Sequence, residues 1–175
     1  QHMIYTAVHL KSPVAIRYPR GNGTNVPLDD SFQKLPVGKA EQLREGAAAT
    51  IWALGNTVHP ALRAAELLEE EGISCSVINT RFVKPLDEEL LCSLAEKRAP
   101  LITVEENVLL GGFGSAVLET LQRHPRNGLF RQVTELGFRQ DWSRWYSFLE
   151  KVGRHSRHDR LRQANRGFVQ GKVGR

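Results

Sequence analysis

The sequence predicts an α/β fold, a mostly parallel sheet covered by helices on both faces. Apolar stretches of strand length alternate with stretches of helical periodicity, and the strands are too apolar to leave either face in water. The elements follow in order. Residues 2–11 suit the end of a helix, and residues 13–18 read as a short strand. Pro19-Arg20-Gly21-Asn22-Gly23 breaks that strand, because glycine and asparagine accept positive φ. Little periodicity follows as far as Pro36, so residues 21–36 read as a linker. Residues 39–44 then alternate weakly, as an edge strand does, Glu45-Gly46 forms a turn, and residues 47–54 are the continuous apolar run of a buried strand. Thr57 and Pro60 mark a helix start, with Ala61, Ala65 and Leu68 at helical spacing until Gly72. Residues 74–79 are the next buried strand. Asp87, Glu88 and Glu89 suit a helix N-terminus, where carboxylates meet the positive end of the helix dipole, and that helix should bury Leu90, Leu91 and Leu94. Residues 101–104 supply a strand, Phe113, Val117 and Leu121 line one face of a helix, and residues 130–136 supply a last strand.

Composition narrows the class. At 175 residues, with 41% hydrophobic and 25% charged side chains, the chain resembles ordinary globular proteins and is long enough for one domain plus a fragment. Its longest apolar runs fall short of the roughly 20 residues of a membrane helix. Cys75 and Cys92 lack metal-ligand spacing and sit in apolar patterns, which suits a reducing cytoplasm. Gln1-His2-Met3 opens the chain without a basic and apolar leader or an initiator residue, which reads as a fragment or processed product. The net charge of +5 is unevenly spread. Residues 1–137 hold 14 basic and 16 acidic side chains, a net of −2, whereas residues 138–175 hold 10 and 3, a net of +7. Basicity therefore belongs to the tail, and the chain as a whole does not read as a nucleic-acid binder.

Four segments carry a resemblance. Ala15-Ile16-Arg17-Tyr18-Pro19-Arg20-Gly21, Leu35-Pro36-Val37-Gly38-Lys39, Arg81-Phe82-Val83-Lys84-Pro85-Leu86-Asp87-Glu88, and Val104-Glu105-Glu106-Asn107 through Gly111-Gly112-Phe113-Gly114-Ser115 resemble, in order and spacing, the C-terminal region of the 1-deoxy-D-xylulose-5-phosphate synthases. They favour this family over transketolases and the β subunits of 2-oxoacid dehydrogenases. The resemblance implies a three-layer α/β/α domain of the transketolase C-terminal type, its five-stranded sheet having one antiparallel edge strand. It makes residues 1–20 the end of a pyrimidine-binding domain, 21–36 a linker, 37–137 the C-terminal domain, and 138–175 an atypical basic tail. It also implies a homodimeric cytoplasmic parent that uses thiamine diphosphate and Mg²⁺ and condenses pyruvate with glyceraldehyde 3-phosphate. The family places the glutamate that activates the aminopyrimidine, and the metal-binding aspartate and asparagine, before this chain begins. No catalytic, cofactor-binding or metal-binding residue is therefore expected here, and the chain alone should be inactive and bind no cofactor. A free-standing interaction module, or a docking domain like that of a 2-oxoacid dehydrogenase β subunit, is the alternative.

Arg17 and Arg20 are the best binding candidates, because a guanidinium fork can hold a phosphate bidentately. The resemblance assigns the acceptor-sugar phosphate to Arg20, whereas an ion pair at a surface or interface is the plain alternative for both. Gly111-Gly112-Phe113-Gly114-Ser115 could offer free N–H groups to an anion. Val117 stands where a dinucleotide turn needs glycine or alanine, so a turn bringing helix and sheet close is the better reading. Glu105 and Glu106 sit at a strand end where ligands of such sheets bind. Neighbours on a strand face opposite ways, so capping or a domain interface suits them better than a catalytic pair. His59 reads as a helix-start residue, Arg81 and Lys84 as solvated or domain-facing charge, and Trp142, Trp145 and Tyr146 as an aromatic and basic tract with little claim to base stacking. After Leu136-Gly137 the resemblance ends: the family's proline, aspartate and later histidine-glycine pair are missing. Residues 138–175 have little apolar periodicity to offset ordering, apart from Trp142, Trp145, Tyr146, Phe148 and Leu149, which could line one short helix.

Overall fold

The computed structural model describes residues 1–19, 27–97, 99–108 and 110–123, together with the backbone of 133–137. Helix α1 (His2–Val8) comes first. The α/β unit follows as β1 (Glu41–Arg44), β2 (Ala49–Ala53), a 3₁₀ turn at Gly55–Thr57, α2 (Val58–Glu70), β3 (Cys75–Asn79), α3 (Glu88–Glu96), β4 (Leu101–Glu105), α4 (Phe113–Arg123) and β5 (Val133–Gly137). One five-stranded sheet runs in the order β1-β3-β2-β4-β5. β1 is antiparallel to β3 and the other pairings are parallel. This is the expected class, with the antiparallel strand at an edge.

The two-residue period of the strands sorts their side chains into two cores. Ala49, Ile51 and Ala53 of β2, with Cys75, Val77, Ile102 and Val104, pack under α2. Trp52, Ile78 and Leu101 point the other way and meet Leu91 and Leu94 of α3 and Phe113, Val117 and Leu121 of α4. β2 lies between two parallel neighbours, so all five of its residues are buried. Leu91 and Leu94 are buried as expected, and Leu90 is half-buried.

One expectation needs correction. Residues 13–18 form no strand; they run irregularly, with Val14, Ile16 and Tyr18 exposed, because an isolated strand has no neighbour to satisfy its backbone. The last strand is described over Val133–Gly137, and residues 130–132 of the expected strand lie outside the described residues. Arg20 and the aromatic tract at Trp142, Trp145, Tyr146, Phe148 and Leu149 lie outside the described residues.

Candidate functional site: the carboxyl edge of the sheet

Parallel α/β sheets place their ligands beyond the carboxyl ends of the strands. Here that edge collects Gly55, Thr57, Thr80, Arg81, Glu105 and the glycine loop before α4. Glu105 shares the face of Leu101, four residues earlier, and therefore points toward α4. It is only 2% exposed, and its carboxylate accepts the N–H groups of Phe113 at 3.0 Å and Gly114 at 2.9 Å. A carboxylate thus occupies the positive end of α4, where an external anion would otherwise bind. Gly112 lets it come so close: a Cβ there would overlap the carbonyl of Val108 and lie 2.7 Å from Glu105 Oε1. Gly111 has φ +71 and opens the turn. The glycine run is therefore a close-approach turn that seats the Glu105 carboxylate.

Thr57 and Arg81 of this edge are also engaged within the fold, whereas the buried Thr80 hydroxyl has no hydrogen-bond partner among the described residues. Thr57 Oγ1 accepts the N–H of Leu54 at 3.0 Å and lies 3.0 Å from the carbonyl of Val104, which ties the ends of β2 and β4 together. Arg81, at φ +56, pairs with Glu41 of β1 at 2.6 Å, and its N–H reaches Asn79 Oδ1 at 3.3 Å. This pairing across forty residues had no signal in the sequence. Lys84 is exposed, as is His59 on the first turn of α2. Below β1, buried Asp87 caps α3 through Leu90 N–H at 3.2 Å and holds Ala40 N–H at 3.0 Å. Lys39 lies 3.4 Å from Asp87 and 2.8 Å from Glu89, and the hydrogen bond to Glu89 raises its pKa.

An open groove of about 430 Å³ lies at the opposite end of the strands, lined by Gln42, Glu45, Gly46, Ser74, Ser76 and Lys97. Its best-placed hydroxyl, Ser76 Oγ, is already bonded to the N–H of Gly46 at 2.9 Å and its carbonyl at 2.7 Å. Burial pushes the nearby Cys75 thiol up to about 11, and it also raises Cys92. Arg17 is exposed. Among the described residues no three His, Cys, Asp or Glu side chains converge as metal ligands. No helix among them is long and apolar enough to cross a membrane.

The described residues do not fit thiamine diphosphate with Mg²⁺. The helix N-terminus best suited to a diphosphate is filled by Glu105, and the Glu41 carboxylate is paired with Arg81.

Comparison with known proteins agrees with the fold. Over 138 residues the chain is 52% identical to 1-deoxy-D-xylulose-5-phosphate synthase 1 of Geobacter metallireducens, covering 79% of this chain and 22% of that protein. Over 121 residues it is 56% identical to 1-deoxy-D-xylulose-5-phosphate synthase of Desulforudis audaxviator, covering 69% and 19%. The chain thus spans about a fifth of the length of these curated relatives. A solved structure titled "Split gene transketolase, inactive beta4 tetramer" matches with a TM-score of 0.65 and 27% identity, over 98% of this chain and 54% of that one. Residues 38–141 match the family described as transketolase, C-terminal domain, and with the sheet order and helix layers above, the chain belongs to that family.

Proposed function

We propose that the chain is the C-terminal portion of a 1-deoxy-D-xylulose-5-phosphate synthase. One observation carries this: its identity to curated synthases exceeds half over more than two thirds of its length, whereas the fold alone is shared with transketolases. The reaction of the whole enzyme would join the two-carbon unit of pyruvate, with loss of CO₂, to the aldehyde of glyceraldehyde 3-phosphate. Thiamine diphosphate, held with Mg²⁺ by upstream domains, would supply the electron sink for that decarboxylation. A homodimeric, cytoplasmic parent fits this reading.

Within it, residues 1–20 end the pyrimidine-binding domain, residues 37–137 are the C-terminal domain, and Arg20, with Arg17 beside it, holds the phosphate of glyceraldehyde 3-phosphate. The support is the matching motif and the bidentate geometry of guanidinium. In the intact enzyme Arg20→Ala should raise KM for glyceraldehyde 3-phosphate roughly ten- to hundredfold and leave KM for pyruvate unchanged, since only the former carries a phosphate. Equal effects on both substrates would show a structural role instead. The isolated chain should neither catalyse nor bind the cofactor. Calorimetric titration with thiamine diphosphate and Mg²⁺ checks this, and micromolar binding would refute it.

A second reading is favoured by the match to a split-gene transketolase: a chain of this kind could be a separately made subunit that self-associates and works only with an upstream partner. Analytical ultracentrifugation of the purified chain separates the two, with a concentration-independent tetramer favouring the subunit.

A further inference from the structure

The second half of the expected linker runs alongside α1 in the same direction. The side-chain amide of Gln1 donates to the carbonyl of Asp29 at 2.8 Å, and His2 Nε2 meets the Asp29 carboxylate. The N–H of Gln33 donates to His2 Nδ1 at 3.1 Å. One imidazole tautomer, with its proton on Nε2, serves both contacts. Farther along, Tyr5 stacks on Phe32 with centroids 5.4 Å apart. At the next level the hydroxyl of Thr6, 4% exposed, donates to the carbonyl of His2 at 2.7 Å and accepts the N–H of Leu35 at 2.8 Å. A polyglycine tether would lack the Asp29 carboxylate and the Phe32 ring, and each contact must offset the ordering of the residues it fixes.

We infer that residues 27–35 are a strap that clasps α1 along its length. Only residues 36–39 separate Leu35 from Ala40, whose N–H is held by Asp87 at 3.0 Å. Within that short stretch Gly38 adopts φ +75 against Pro85, where a Cβ would lie 2.8 Å from the ring. The chain leaves α1 at its C-terminal end and returns beside its N-terminus, so both stems of the excursion that carries Arg17 are fixed to one helix. The inference stands on these contacts and does not depend on what Arg17 binds.

Amide hydrogen exchange on the full chain tests it. The amides of Gln33 and Leu35 should exchange at least about tenfold more slowly than in an unstructured peptide. Thr6→Val, which keeps the shape and removes the acceptor, should speed Leu35 about tenfold, whereas Thr6→Ser should leave it slow. His2→Ala should release Gln33 in the same way, with the amides of β2 and β4 unchanged. Unstructured rates at Gln33 and Leu35 in the unaltered chain overturn the strap, as does a Leu35 that stays slow in Thr6→Val. If Thr6→Val also loosened the sheet, His2→Ala would decide through Gln33.

Discussion

Glu105 is the side chain on which the carboxyl edge depends. It accepts two backbone N–H groups in a buried site, and bonds to a charged acceptor contribute about 1.5 to 3 kcal/mol each. Glu105→Ala should therefore lower the free energy of unfolding in urea by about 2 to 4 kcal/mol. Glu105→Gln keeps one acceptor but turns an amide NH₂ toward the other N–H, so it should restore less than half of that loss. Gly112→Ala should cost about 1 to 3 kcal/mol, because the added methyl meets a backbone carbonyl that no rotamer change can move. The alternation of strand side chains already separated Glu105 from Glu106 in the sequence. What the sequence hid was that the loop would fold Phe113 and Gly114 back onto Glu105, since that depends on the tertiary path of eight residues. Cys75 titrates in the opposite sense to a salt-bridged carboxylate. Its folded pKa is raised from about 9 to about 11, so the folded state holds its proton longer than the unfolded chain. Its contribution is fully present below pH 9 and is lost between about pH 9 and 11. Up to about 2 to 3 kcal/mol should disappear across that window. Urea titrations of the chain and of Cys75→Ala measure it: the variant should show a flatter decline between those two pH values.

At the level of elements, Asp87 joins two pieces of secondary structure. It caps α3 and also holds Ala40 at the entry to β1, so removing it weakens the helix and the edge strand together. Asp87→Ala should destabilise the domain by about 1 to 3 kcal/mol, and Asp87→Asn, still a good cap, by less, as thermal unfolding can measure. The acidic trio before α3 was legible as a helix start, and so were β2, β3, β4 and the buried faces of α2 and α4. Those elements carry strong periodicity over their full length, with Gly72 and Pro60 as punctuation. Residues 13–18 show the limit of that method: their apolar alternation is genuine, yet a strand exists only where another backbone completes its hydrogen bonds. The linker reading missed the contacts of residues 27–35 for a related reason. His2, Thr6 and Tyr5 meet their partners across about thirty residues, and nothing in local spacing points there. Arg81 and Glu41, forty residues apart, are the same case.

For the molecule as a whole, both apolar clusters of the described residues are assembled between Ala40 and Leu121, and residues 138–175 carry little apolar periodicity with which to extend them. A version ending at Gly137 should therefore retain slow amide exchange in β2 and β4 and unfold with nearly unchanged cooperativity. Loss of protection in residues 49–53 on truncation would show that the tail is integral to the domain. The order β1-β3-β2-β4-β5 has a consequence for the chain as it is made. β2, the middle strand, pairs Ala49 with Cys75 on one side and Thr50 with Leu101 on the other, and the second face of Trp52 closes only when α4 arrives. Synthesis proceeds from the N-terminus at about 5 to 20 residues per second. The central strand therefore emerges from the ribosome several seconds before its last partner, an uncovered apolar ribbon with both edges open. During that interval a nascent chain of this topology exposes apolar surface and unpaired strand edges that the finished sheet covers.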